Sequence, residues 1–294
     1  MAGLSIVASV LVWTVAQAQP GKVVDPAQPE TPAVTQPETQ PEQPLDTSDL
    51  PEAEAIFKRY VEALGDPEAL KKIRSIKIDG RYVGRPFEFA ARLTIWKEYP
   101  NKFHLKIQEP AGETIEIGFD GEKGWERQPS AGLRMIEGLR LIELRDSSDF
   151  WGEANWETRY IEWKVLGRTT FEGQKAVGIY VKALSNREKA LLFSEETGLY
   201  LGSRTFTVHP GTGKPAEFET VLKPYKEFAG VKIPMGMLQR FKGDQKATEF
   251  DYVKLAVNPE EKHDFSPPAE LLEKIEREKS KPAEATPAAP GSGG

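Results

Sequence analysis

The sequence predicts a mainly β, α+β chain, in which one large antiparallel sheet of about eleven strands carries a few helices. Three observations predict it. Between Ile76 and Val257 apolar residues recur mostly at every second position, the period of a half-buried strand. Short turn-forming stretches such as Tyr99-Pro100-Asn101 and Asp120-Gly121 separate the runs, and short turns join antiparallel neighbours. The 25 glycines and 23 prolines favour many turns over long helices. A sheet of more than about ten strands rarely stays flat, so this one is expected to curl.

Ahead of that pattern, Ala2 to Ala16 is an uncharged, mostly apolar run that ends in Ala16-Gln17-Ala18, a small-x-small cleavage site. Residues 1–18 are expected to be a signal peptide, leaving Gln19 first and marking the chain for export. The run is shorter than the ~20 residues of a spanning helix, so no transmembrane span is expected after cleavage. Residues 19–49 are Pro, Gln, Glu and Thr, as in QPETQPEQP from Gln36 to Pro44, and read as a disordered linker that cannot bury a core. The folded domain is expected over residues 50–278, with a disordered tail over 279–294.

The domain opens on a helix over Pro51 to Leu64, where Ile56, Tyr60 and Leu64 share a face, Ser48 or Asp49 can cap and Gly65 stops it. A shorter helix starts at Pro67, a favoured first position, and runs to Arg74. Four strands with one apolar face follow. They carry Ile76, Ile78 and Tyr82; then Phe87, Phe89, Ala91, Leu93 and Ile95; then Phe103, Leu105 and Ile107; then Ile115, Ile117 and Phe119. Asp120-Gly121 signals a two-residue hairpin. From Gly132 to Trp156 the period turns helical, through Leu133, Ile136, Leu139 and Leu144, with Leu141 and Ile142 widening the apolar face. Strands resume at Arg159–Gly167, Lys175–Leu184, Lys189–Glu195, Leu199–Val208, Ala216–Leu222, Val231–Phe241 and Thr248–Val257, and a last helix spans Pro268 to Arg277.

Net charge is −6, with Lys and Arg scattered among acids, so no basic stripe offers a nucleic-acid footprint. The absence of cysteine removes disulfides, thiol nucleophiles, thiolate metal sites and a lipidated cysteine. His104, on a polar strand face with Lys106 and Gln108, His209 in a turn and His263 in a polar segment have no histidine partner at ligand spacing, so no metal or other cofactor is expected. Gly211-Thr212-Gly213-Lys214 ends like a phosphate loop, but Val208 stands where that motif needs Gly and Pro215 where it needs Ser or Thr. It reads as a turn between strands. No nucleophile elbow, zincin or dinucleotide motif is present, and the chain is expected not to be an enzyme. The remaining catalytic possibility is a carboxylate pair assembled in space, which requires two acids converging in a cleft with raised pKa values. Of the tryptophans, Trp125, Trp151 and Trp156 stand at strand ends or the end of the helical interruption, where ligand rims form.

Several short signatures occur in order: Tyr60-Val61-Glu62-Ala63-Leu64-Gly65 with Ala69-Leu70 and Ile73; Gly80; Tyr99-Pro100-Asn101-Lys102; Phe119-Asp120-Gly121 with Gly124-Trp125; Glu196-Thr197-Gly198-Leu199; and Val231-Lys232-Ile233-Pro234. Together they resemble the bacterial outer-membrane lipoprotein-sorting-protein group, LolA-like in fold, over residues 50–268. The resemblance implies an open antiparallel β half-barrel wrapped around helices, with a concave apolar face that receives acyl chains, in a protein of the bacterial periplasm or cell envelope. The ligand candidates on that face are Phe87, Phe89, Leu93, Ile95, Phe103, Leu105, Ile107, Ile115 and Ile117, with Trp125 at a rim and Leu139 and Ile142 on a lid. Expected partners are a lipid or an acylated lipoprotein, and an envelope protein. Burying an acyl chain contributes up to ~0.8 kcal/mol per CH₂ before ordering costs, so such a function needs no polar motif. The alternative is a non-catalytic sensor or protein-interaction module whose groove is filled by its own side chains. An apolar cavity of about 300–1,000 Å³ on the concave face distinguishes the two.

Overall fold

The computed structural model describes residues 47, 49–84, 87, 90–244 and 246–280. The expected signal peptide, Phe89, Ser48, nearly all of the expected linker and residues 281–294 of the expected tail lie outside the described residues.

Alternation does its work as read. Thirteen antiparallel strands form one sheet in the order β6-β5-β4-β3-β2-β1-β15-β14-β11-β10-β9-β8-β7, and its end strands β6 and β7 do not pair with each other. The sheet is therefore an open half-barrel. Its first half comprises β1 (Ser75–Val83), β2 (Ala91–Glu98), β3 (Lys102–Gln108), β4 (Thr114–Phe119), β5 (Gly124–Gln128) and β6 (Gly132–Ile136). The second half comprises β7 (Tyr160–Phe171), β8 (Gln174–Ala183), β9 (Glu188–Ser194), β10 (Tyr200–Val208), β11 (Pro215–Leu222), β14 (Gly236–Phe241) and β15 (Thr248–Val257). A separate hairpin of β12 (Tyr225–Phe228) and β13 (Val231–Pro234) packs beside it.

Four strands escape the sequence reading. β5 and β6 form a hairpin where a loop and the start of a helix were expected, because Gly132, at φ 69°, turns the chain back and sets Arg134 opposite Glu126. β12 is too short to show a period, and Pro234 divides the expected Val231–Phe241 strand into β13 and β14. The Asp120-Gly121 turn is four residues long: Asp120 N–H bonds to the Lys123 carbonyl at 3.1 Å, while the Asp120 carboxylate accepts from Glu122 and Lys123. Residues 209–214 form the β10–β11 turn, as expected.

Helix α1 (Ala53–Leu64) buries Ile56, Phe57, Tyr60 and Leu64 against the inner face. Its first residue follows Glu52, which makes no side-chain cap, so the expected cap at Asp49 is not at the capping position. Helix α2 (Pro67–Lys72) is capped by Asp66, whose carboxylate accepts from the backbone of Glu68 and Ala69. Phe57 stacks on Trp156 at 5.0 Å, and Tyr60 meets Phe193 and Tyr200, which seats α1 in the second half of the sheet. Helix α3 (Gly138–Ser148), a 3₁₀ turn (Gly152–Asn155) and α4 (Trp156–Arg159) cross the inner face, and α5 (Ala269–Ser280) follows the last strand. No described helix is long and apolar enough to cross a membrane.

Candidate functional site: the roofed inner face

The register of the first half brings the apolar candidates together. Leu93 lies opposite Ile107 and Ile95 opposite Leu105, while Leu105 faces Ile117 and Ile107 faces Ile115. These six, with Phe103 and Phe119, have no exposed surface and belong to one cluster with the helices. Phe87 precedes β2, not within it as the alternation suggested, and meets Tyr82 edge-to-face at 6.2 Å. The inner face is filled at these positions, where none of the six has exposed surface, and a 660 Å³ groove lies elsewhere, between α5 and β5–β6, lined by Arg127, Leu133 and Leu271 among charged residues.

Helix α3 roofs this floor. Gly124 is the contact: a Cβ there would meet terminal methyls of Leu144 at 2.6 Å and Leu141 at 3.0 Å, so a larger residue would have to displace those side chains. Leu139 and Ile142, placed on a lid from the sequence, lie on the far side of α3 and are 60% and 42% exposed. Trp125 is not on the inner face. It points outward between β4 and the chain after β15, its indole N–H bonded to the Phe265 carbonyl at 3.2 Å. Trp151 and Trp156 do lie in the inner cluster.

Charged groups fasten the roof, and the sequence reading did not single them out. At one end of the sheet, buried Glu126 receives both terminal nitrogens of Arg140 from α3 at 2.7 Å and Nε of Arg134 at 2.8 Å. Burial alone would raise the Glu126 carboxyl, but the two guanidiniums outweigh it and hold it below the usual range. Near the other end, Arg187 in the β8–β9 turn donates to Glu143 of α3 at 2.6 Å. Helix α3 thus ties together both ends of an otherwise open sheet. In the middle, fully buried Lys97 of β2 donates to the Asp149 carbonyl at 2.9 Å, just past the end of α3. Burial pushes its amine down to about 8, against the opposing pull of Asp149. Asp149 in turn accepts from the backbone of Trp151 and Gly152 and from the Asn155 amide, fixing the 3₁₀ turn.

Beyond that turn, buried Glu153 contacts Arg159 at 3.3 Å and receives the Tyr160 hydroxyl at 3.3 Å. Burial works against the Arg159 charge, yet Tyr160, Glu153, Asp149 and Asp146 together keep its pKa above the ordinary value. Lys189 on the inner side of β9 is pushed by burial down to about 8. The alternation of β2 carried the signal for Lys97, since Ala91, Leu93, Ile95 and Lys97 share one parity. Glu126, held low between two guanidiniums, is a paired anion that fastens segments together. No group of three or more His, Asp or Glu among the described residues could hold a metal ion.

No family model matches the chain, and no curated protein matches it. Among solved structures the chain is similar to a LolA superfamily protein from Nitrosomonas europaea, at 11% identity, covering 71% of this chain and 95% of that one with a TM-score of 0.48. A DUF1329 family protein from Desulfovibrio piger and a putative outer membrane lipoprotein-sorting protein domain from Vibrio parahaemolyticus match at 10% identity, each covering 71% of this chain and 94% of the other, with TM-scores of 0.49.

Proposed function

We propose that this chain is a non-catalytic binding protein of the bacterial cell envelope, that its ligand is a lipid or the acyl chains of a lipoprotein, and that the described conformation is its closed state. One observation carries this reading. The apolar floor from Leu93 to Phe119 is buried in one cluster with the helices, and α3, which packs on β4 and Gly124 at its side, is tied down by ion pairs and a lysine, while Leu139 and Ile142 leave apolar surface outside. An ordinary core helix turns its apolar residues inward. Releasing α3 would open the floor to an acyl chain and let Leu139 and Ile142 contact the same chain or a membrane surface. The filled inner face favours a second reading, a sensor or protein-interaction module in which the closed sheet is scaffold only.

Native mass spectrometry with lipid extraction on the exported full chain separates the two. Co-purifying phospholipid or acylated peptide, or uptake of phospholipid during incubation, supports the binding protein. A mass that stays free of lipid after incubation with envelope phospholipid moves the assignment to the interaction module.

A further inference from the structure

The outer face of the first half of the sheet carries a second structure, independent of the apolar floor. Register places Lys77, Trp96, His104, Gly118, Trp125 and Met135 in one row across β1 to β6. Gly118 is required in it, because a Cβ there would lie 2.2 Å from the Trp125 indole. Trp96 and Trp125 are 6% and 3% exposed, although they face away from the main core.

Residues 258–268, between β15 and α5, cover them. Asn258 starts the crossing, its side chain accepting from the Arg74 and Ser75 backbone and donating to the Lys72 carbonyl. Glu261 then pairs with Lys77 at 2.7 Å. His263 stacks on Trp96 at 4.8 Å and 7°, and on His104 at 4.9 Å and 18°. Phe265 is buried, and its carbonyl takes the Trp125 N–H. Past the crossing, Glu270 of α5 reaches Arg127.

At the centre, His104 Nδ1 and His263 Nε2 are 2.7 Å apart, a hydrogen bond that needs one donor and one acceptor. The other nitrogen of His104, Nε2, is buried with no hydrogen-bond partner. The tautomer that fits has His104 donating through Nδ1–H, leaving a bare Nε2 inside. A proton added to His104 would create a buried, unsatisfied N–H. A proton added to His263 Nε2 would face the Nδ1–H already there. The surrounding acids oppose this without reversing it, because their charge is shared with other partners: Glu98 is paired with Lys102, Glu116 with Lys106 and Arg127, Glu261 with Lys77 and Glu270 with Arg127, and Asp264 accepts from the Ser266 backbone.

We infer that the outer aromatic row is a peptide-docking surface occupied in cis by residues 258–268, and that the His104–His263 pair makes this occupancy pH-dependent, so that acid releases the strap and uncovers Trp96 and Trp125. Burial pushes His104 down to about 4 and lowers His263 as well, so the docked strap binds fewer protons than the released one. Its hold is therefore complete above the free-imidazole value of about 6.5 and weakens as pH falls below it, by up to about tenfold per pH unit for each proton taken up.

Hydrogen exchange of the full chain across pH 7.5 to 4.5, corrected for intrinsic rates and read by mass spectrometry, tests this on the order of one pH unit at a time. The expected result is loss of protection over residues 258–268 below about pH 6.5 while peptides from β3 and β4 stay protected, and a flattened dependence in His263→Phe and in His104→Phe, which keep a stacked ring without the proton. Protection of the strap that does not change with pH, falls together with that of the sheet, or changes as steeply in both phenylalanine variants as in the unaltered chain overturns it.

Discussion

Lys97 occupies an inward position of β2 where its neighbours of the same parity, Leu93 and Ile95, are fully buried and apolar. It persists there because its ammonium donates to backbone carbonyls at the end of the roof, which lessens the cost of burying a charge. The cost still has a measurable consequence. With the amine pushed down to about 8 in the folded chain and near 10.4 when unfolded, the native state binds fewer protons in between, so stability rises with pH in that window. Lys189, pushed down to about 8 in the same way, contributes a second proton. Urea denaturation between about pH 8 and 9, below the range in which the unfolded chain's tyrosines ionise, should show stability rising by at most ~1.4 kcal/mol per pH unit for each lysine, and Lys97→Met should remove about half of the slope. An unchanged slope in the variant would show that Lys97 does not titrate as argued. On the outer face, Gly118→Ala drives a methyl into the Trp125 ring and is expected to cost ~1–3 kcal/mol, with a shift in tryptophan emission; a neutral substitution would mean that the indole has room to move.

At the scale of elements, α3 decides whether the inner face is reachable. Its apolar contact includes Leu144 and Leu141 over Gly124, and it is also attached through the Glu126–Arg140 and Glu143–Arg187 pairs at opposite ends of the sheet and, just past its end, through Lys97. Glu126 has no exposed surface, so removing Arg140 would leave a buried charge with Arg134 as its one remaining guanidinium partner and weaken the fold as well as the roof. In the Arg187–Glu143 pair both side chains keep some contact with water, 23% and 11% exposed, so its loss strands no fully buried charge. Arg187→Ala is therefore the cleaner probe. It should raise exchange in α3 and speed uptake of a fluorescent fatty acid several-fold, with under about 1 kcal/mol lost in global stability. Faster exchange without faster uptake would separate roof motion from ligand entry and count against the binding reading.

At the scale of the whole molecule, period-two alternation in the first four strands determined which residues face the core, because one face of each strand is buried and polar residues were tolerated mainly on the other. The candidates Leu93, Ile95, Phe103, Leu105, Ile107, Ile115 and Ile117 followed from that alone, as did the mainly β class, the antiparallel pairing and the two helices before β1. Alternation says that a strand has two faces; it does not say what covers them. The filling of the inner face by helices, the outward turn of Trp125, and the meeting of His104 with His263 across 159 residues of sequence depend on where distant segments return. Those segments are short or irregular, such as the β5–β6 hairpin closed by Gly132 and the strap of residues 258–268, and they are held by ion pairs, ring stacking and side-chain bonds to backbone. Such contacts have no period along the chain, so the sequence determined the sheet and its apolar face, while only the tertiary structure decided that one face is roofed and the other strapped.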